Sequence, residues 1–217
     1  MDILNRHEVF EIEVLDRLKN KGLLEPLVFG GGTMLRLCFE LNRYSTDLDF
    51  WFIKDIDEKS YFKELNDFLG KYYEITDSNV KFYTILIEIR SMDYPKRLKL
   101  EIRRGLKEYD FQERIAFSSN ATKQVVLKVC TLEQMMKNKI KAALDRKGIR
   151  DCFDIEFLLR QGVGLPANRD ELDKLRIVIN GFRDNDYKVV LGSILDAEQR
   201  LYYINNKFEY ILRKISE

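Results

Sequence analysis

The chain has 217 residues, 45% of them hydrophobic and 34% charged, a mixture that builds a core and excludes a disordered polymer. Its 37 basic and 36 acidic residues almost cancel, so net charge imposes no nucleic-acid partner, and any such contact must come from a local patch. Cys38, Cys130 and Cys152 are widely spaced and odd in number, which argues against a disulfide framework or structural zinc and fits a reducing cytosol.

The opening stretch, MDILNRHEVFEIEVL, is acidic and amphipathic, unlike a signal peptide. Leu4, Phe10, Val14, Leu15 and Leu18 predict a helix over 3–20, stopped by Gly22. PLVF (26–29) predicts a short buried strand ending in glycine. TMLRLCFEL places Met34, Leu37, Cys38 and Leu41 at helical spacing. DLDFWFI (47–53) predicts a second strand, and Asp57 is a suitable N-cap for the helix that follows. Residues 81–91 and 97–104 are β-rich and read as a hairpin around YPK, and QVVLKV (124–129) is the last candidate strand. From Thr131 the pattern becomes helical: a long helix to Gly148, then DCFDIEFLLRQG, then about three more helices, with DAEQRLYYINNKFEYILRKI as one of them. No apolar run approaches the roughly eighteen residues of a membrane span. The expected fold is α+β: a mixed-sheet core with flanking helices over 1–120, then a helical domain over 121–217 that completes an active cleft.

Gly30, Gly31 and Gly32 stand between a strand and a helix. Such a turn lets backbone N–H groups approach a phosphate at a positive helix end, and Thr33 adds a hydroxyl. Alone it is only a turn, and no GK[ST] follows to make a P-loop. Asp47 and Asp49 are two apart on a strand and so share a face. Two such carboxylates are either a solvated strand end or ligands of a hard cation such as magnesium, with phosphates and water completing its shell.

Together, GGTMLRLCFELNRYSTDLDF resembles the signature of the AbiEii-type nucleotidyltransferase toxins: GGT, a short helix, then an arginine (Arg43), a serine (Ser45) and the two acids. The resemblance implies a nucleotidyltransferase-type core in which Gly31, Gly32, Thr33, Arg43 and Ser45 hold the nucleotide and Asp47 and Asp49 hold magnesium, or manganese in its place. A third acid on a neighbouring strand is implied as well, with Glu101 favoured over Glu88. KNKIKAALDRKGIRDCFDIEFLL resembles the later family motif. Lys139 and Arg146 fall within about 20° on one helix face, flanking Ala142 and Ala143, with room for a triphosphate. A solvated charged face is the alternative. Asp151 has the place of an N-cap and Asp154 that of a catalytic carboxylate able to take a proton from an attacking hydroxyl. Asn138 stands where the family usually has glutamate.

The resemblance implies a cytoplasmic enzyme that transfers NMP from an NTP to RNA, notably a tRNA 3′ end, as the toxin of a toxin–antitoxin or phage-defence pair with a cognate antitoxin. A basic segment, Lys96, Arg97, Lys99, Arg103, Arg104 and Lys107, would serve an RNA acceptor, although solvated strand is its ordinary reading. The alternative function is a catalytically silent nucleotide- or RNA-binding module. A haloacid-dehalogenase phosphatase is disfavoured because Trp51 stands where Thr or Val is needed. DxD glycosyltransferases lack the preceding glycine turn and helix. His7, the one histidine, reads as a surface or packing residue, and the FWF and YY clusters as packing stripes.

Overall fold

A computed structural model describes residues 3–217. The chain forms two compact units, one running to Glu40 and resuming at Tyr44–Cys130, the other comprising Leu41–Arg43 and Thr131–Glu217.

The first unit is a mixed seven-stranded sheet in the order β3-β4-β5-β2-β1-β7-β6. Its strands are β1 (Leu27–Gly30), β2 (Asp47–Phe52), β3 (Glu74–Val80), β4 (Thr84–Arg90), β5 (Leu98–Arg103), β6 (Phe111–Ala116) and β7 (Val125–Cys130). β1 pairs antiparallel with β2 and parallel with β7, while β2 pairs parallel with β5. Alternation decides the faces. Leu48, Phe50 and Phe52 of β2 and Leu98, Leu100 and Ile102 of β5 are buried. Asp47, Asp49 and Trp51, with Lys99, Glu101 and Arg103, occupy the opposite face. Helix α1 (Ile3–Asn20) packs against β5 and β7, and α2 (Gly31–Phe39) against β1, β2 and β6. Helix α3 (Glu58–Leu69) packs against β3 and β4, with Asp57 accepting a hydrogen bond from the Lys59 N–H as its N-cap. The apolar residues of α1 and α2, among them Phe10, Leu15, Met34 and Leu35, form the core with the buried strand face. That leaves the acid-bearing face to chemistry.

The second unit is helical. Helix α4 (Leu132–Arg146) is capped by Thr131, whose hydroxyl accepts from the Gln134 N–H. Helices α5 (Ile149–Arg160) and α6 (Arg169–Asn180) follow, the latter opened by a reciprocal capping box of Asn168 and Glu171. A π-helical stretch over Asp186–Leu191 and a tight turn lead to α7 (Ala197–Asn206) and α8 (Glu209–Ser216). No helix among the described residues is long and apolar enough to cross a membrane.

Four expectations change. The unit boundary is at Cys130, not 120, because β7 hydrogen-bonds into the sheet beside β1. The stretch DAEQ–RKI is two helices, broken at Lys207, whose φ is +51°, and Phe208 after it is fully buried. Gly31 and Gly32 belong to the first turn of α2 rather than preceding it. Asp151 is not the N-cap of α5; Gly148 is, and Asp151 lies inside the first turn.

Candidate active site

The antiparallel register of β1 and β2 sets Gly30 opposite Asp49. Gly31 follows with φ +76°, a conformation that suits glycine. A Cβ on Gly31 would collide with the Asp49 carboxylate, so that carboxylate lies directly against the start of α2. Gly30 has ordinary extended backbone, but a Cβ there would strike the Trp51 indole. The two glycines therefore make room for two different side chains of the same strand face. A phosphate drawn to the N–H groups at the start of α2 would meet the Asp49 carboxylate there. The two anions need a cation between them. Thr33, expected to add a hydroxyl for a phosphate, is fully buried and its hydroxyl has no hydrogen-bond partner.

The parallel register of β2 and β5 pairs Asp47 with Lys99 and Asp49 with Glu101. This puts Glu101 beside the acid pair. Glu88 stands one strand further out, opposite Lys99, where it accepts from Thr76 (2.7 Å) and Arg97 (2.9 Å). Glu101 is nevertheless not a free third ligand. Its carboxylate binds the Lys99 ammonium at 2.8 Å, and that ammonium is 3.6 Å from Asp47. Arg103 approaches the other Glu101 oxygen at 3.9 Å. Partial burial disfavours the charged Lys99, but Glu101 and Asp47 outweigh this and raise its proton affinity. Among the described residues no group of three or more His, Cys, Asp or Glu side chains is placed to hold a metal ion. Asp47 and Asp49 have the hard oxygen donors a divalent cation takes; the third corner is filled by an ammonium.

Behind this face lies a feature the sequence reading did not anticipate. His7 is buried, and its Nε2 lies 3.1 Å from the carbonyl of Thr46, the residue that leads into β2. A carbonyl only accepts, so Nε2 carries the proton. Burial lowers the proton affinity of His7. Glu11, one helical turn on, is fully buried with neither carboxyl oxygen hydrogen-bonded. Burial first, then the nearby Glu8 and Asp47, raise its pKa well above the usual value. The i,i+4 spacing of His7 and Glu11 is the signal in the sequence, but an apolar helix face hid it.

The second unit gathers the remaining predicted residues. Arg43 donates Nε to Asp154 Oδ1 and Nη2 to Oδ2, both at 2.7 Å. Lys139 reaches Asp154 at 2.6 Å and Asp151 at 3.5 Å. Arg146 donates to both oxygens of Asp151, at 2.8 and 2.9 Å, while most of its side chain stays exposed. Burial would raise the pKa of Asp154, but Arg43 and Lys139 overcome it and lower the value. With both oxygens engaged, the Asp154 carboxylate serves Arg43 and Lys139 as a counter-ion in this arrangement. Arg43 and Lys139 are buried counter-ions here, not an open phosphate cradle. Arg146 keeps an exposed guanidinium, and Ser45 is half-buried just before β2.

Comparisons agree with the geometry. The family described as the nucleotidyl transferase AbiEii toxin of a type IV toxin–antitoxin system matches residues 13–206. A crystal structure of JHP933 from Helicobacter pylori aligns over 96% of this chain and 93% of that one, at 23% identity and TM-score 0.53. A candidate nucleotidyltransferase from H. pylori aligns over 96% of each chain, at 22% identity and TM-score 0.57. At these identities the two structures support the fold alone. A search of curated proteins gave no match. The GGT turn, the paired aspartates with Asp49 in register with Glu101, and a family match over most of the length agree: the chain belongs to the AbiEii nucleotidyl transferase toxin family of type IV toxin–antitoxin systems.

Proposed function

We propose that the chain transfers NMP from an NTP to an RNA hydroxyl, with a tRNA 3′ end as acceptor, and that it acts in the cytoplasm as a toxin countered by a cognate antitoxin. The observation that carries this is the Asp49 carboxylate seated against Gly31 at the positive start of α2, with Asp47 on the same strand face. The N–H groups of that turn would take a triphosphate oxygen. Asp47 and Asp49 would hold magnesium or manganese, which neutralises phosphate charge when bound. In the transfer the acceptor oxygen bonds to the α-phosphorus, the bond from that phosphorus to the α–β bridging oxygen breaks, and pyrophosphate leaves. The acceptor proton passes to solvent or to a carboxylate of this face. Lys99 and Arg103, on the same face, supply positive charge for an incoming phosphate backbone.

The second reading, a silent nucleotide- or RNA-binding module, is favoured by one observation: the Lys99 ammonium stands between Asp47 and Glu101. Turnover separates the two. The full chain is incubated with each labelled NTP, magnesium and total RNA, alongside Asp49→Asn. Label that enters RNA, is lost after RNase and is absent with Asp49→Asn supports the transferase. Wild-type label with Asp49→Asn removes the acid pair from the chemistry. Label on polypeptide that survives RNase removes the RNA acceptor.

A further inference from the structure

Three carboxylates on two neighbouring strands of one sheet face repel one another unless a cation lies among them. Here that cation belongs to the chain. Lys99 is the register partner of Asp47 and lies two residues before Glu101 on the same face. Its ammonium bridges the two acids, 2.8 Å from Glu101 and 3.6 Å from Asp47. Lys99 and Glu101 are partly shielded from water, which strengthens the pairing beyond that of a fully exposed pair.

We propose that Lys99 is a built-in competitor of the catalytic cation. It holds the acidic face together when no metal is bound, and a divalent cation on Asp47 and Asp49 reaches Glu101 only by displacing it. The inference rests on the metal reading of Asp47 and Asp49 given above. It adds that Lys99 sets the metal affinity. An ammonium and a divalent ion cannot share the gap between Asp47 and Glu101, because both need the same carboxylate oxygens and repel each other at that separation. Once displaced, the ammonium projects from the same face with its charge available to a phosphate.

Lys99 is a positioning residue in this scheme, so metal binding is read directly rather than through turnover. Manganese binding to the full chain is measured by electron paramagnetic resonance without nucleotide, for wild type, Lys99→Met, Lys99→Gln and Asp49→Asn. Removing one positive charge from the edge of the site should tighten manganese binding about tenfold. Lys99→Met and Lys99→Gln should also unfold at lower temperature than wild type in chelator, with the deficit removed by manganese. Unchanged or weaker binding in the Lys99 variants, with wild-type binding still dependent on Asp49, overturns the role of Lys99 alone. Absence of Asp49-dependent binding in every variant overturns the metal reading and this inference with it. A measurement on the wild-type chain needs no substitution: manganese should increase reductive methylation of Lys99, followed by mass spectrometry. Equal or reduced labelling on adding metal overturns the displacement.

Discussion

Arg43 and Asp154 form a two-pronged ion pair, with both hydrogen bonds at 2.7 Å and both side chains buried. The residues are 111 apart in sequence. Arg43 thereby ties the short segment Leu41–Arg43 to α5 within the second unit. Lys139 completes the pairing from α4. The sequence leaves Lys139 on a helix face open to a triphosphate or to solvent; the structure buries it against two carboxylates. Removing one of the two buried cations leaves Asp154 with a single partner, and breaking a buried pair costs up to about 3–5 kcal/mol. Arg43→Ala and Lys139→Ala should therefore each lower the denaturant midpoint strongly. Midpoints within experimental error of wild type would show that these cations are not structural. The same burial means that lost activity in either variant counts as evidence about chemistry only after folding is checked.

The pair also sets an acid limit. Asp154 has its folded pKa below the usual 3.8, because Arg43 and Lys139 overcome the opposing effect of burial. A depressed carboxylate contributes stability above its unfolded pKa and loses it as pH falls through the folded value. The contribution of Arg43–Asp154 should thus be constant at neutral pH and vanish only below 3.8. A denaturation series on wild type and Arg43→Ala tests this: the gap between them should close in that acid window. A gap that closes between neutral pH and the usual carboxylate range would contradict the sign.

Glu11 should behave in the opposite way. Its folded pKa is raised well above 4.5 by burial and then by Glu8 and Asp47, with Arg36 and Lys96 opposing. Folding then binds a proton that the unfolded chain has released, so stability falls as pH rises from 4.5 through the folded pKa. Glu11→Gln removes that titration. The variant should gain stability relative to wild type as pH rises from 4.5 through the folded pKa. A difference that stays flat over this range would mean that Glu11 is ionised in the folded chain.

The parts of the fold written in side-chain periodicity were legible. Strand β2 reads from its alternation of Leu48, Phe50 and Phe52 with Asp47, Asp49 and Trp51, and α4 from Thr131 and its apolar spacing. Strands β3 and β6 were not, because both lie at or next to a sheet edge and are largely exposed. EITDSNV carries no apolar alternation, and in FQERIA only Ala116 is buried. At the site, the shared face of Asp47 and Asp49 follows from spacing alone. The nearness of Glu101, the bridging by Lys99 and the collapse of Arg43 onto Asp154 depend on strand register and on contacts distant in sequence. Neither is written in local pattern.

Gly30 ends β1 and Gly31 opens α2. Gly30 and Gly31 look equivalent in the sequence, but each admits a different side chain of β2. At Gly30 the backbone is extended, φ −152°, so alanine meets no conformational penalty and acts only by pressing on the Trp51 ring. At Gly31, φ is +76°, and alanine costs about 1–2 kcal/mol in backbone strain before its methyl displaces the Asp49 carboxylate. Trp51 is the single tryptophan of the chain, and its indole rests 5.6 Å from the Tyr109 ring, so its emission reports on this face without a label. Gly30→Ala should shift the Trp51 emission to longer wavelength, as the ring is pushed toward water, and leave manganese binding within about twofold of wild type. Gly31→Ala should do the reverse: emission close to wild type, a lower unfolding midpoint and weakened manganese binding. If Gly31→Ala binds manganese as tightly as wild type, the seating of Asp49 against this turn does not set the metal site. If Gly30→Ala leaves the emission unchanged, the Trp51 ring does not lie over Gly30.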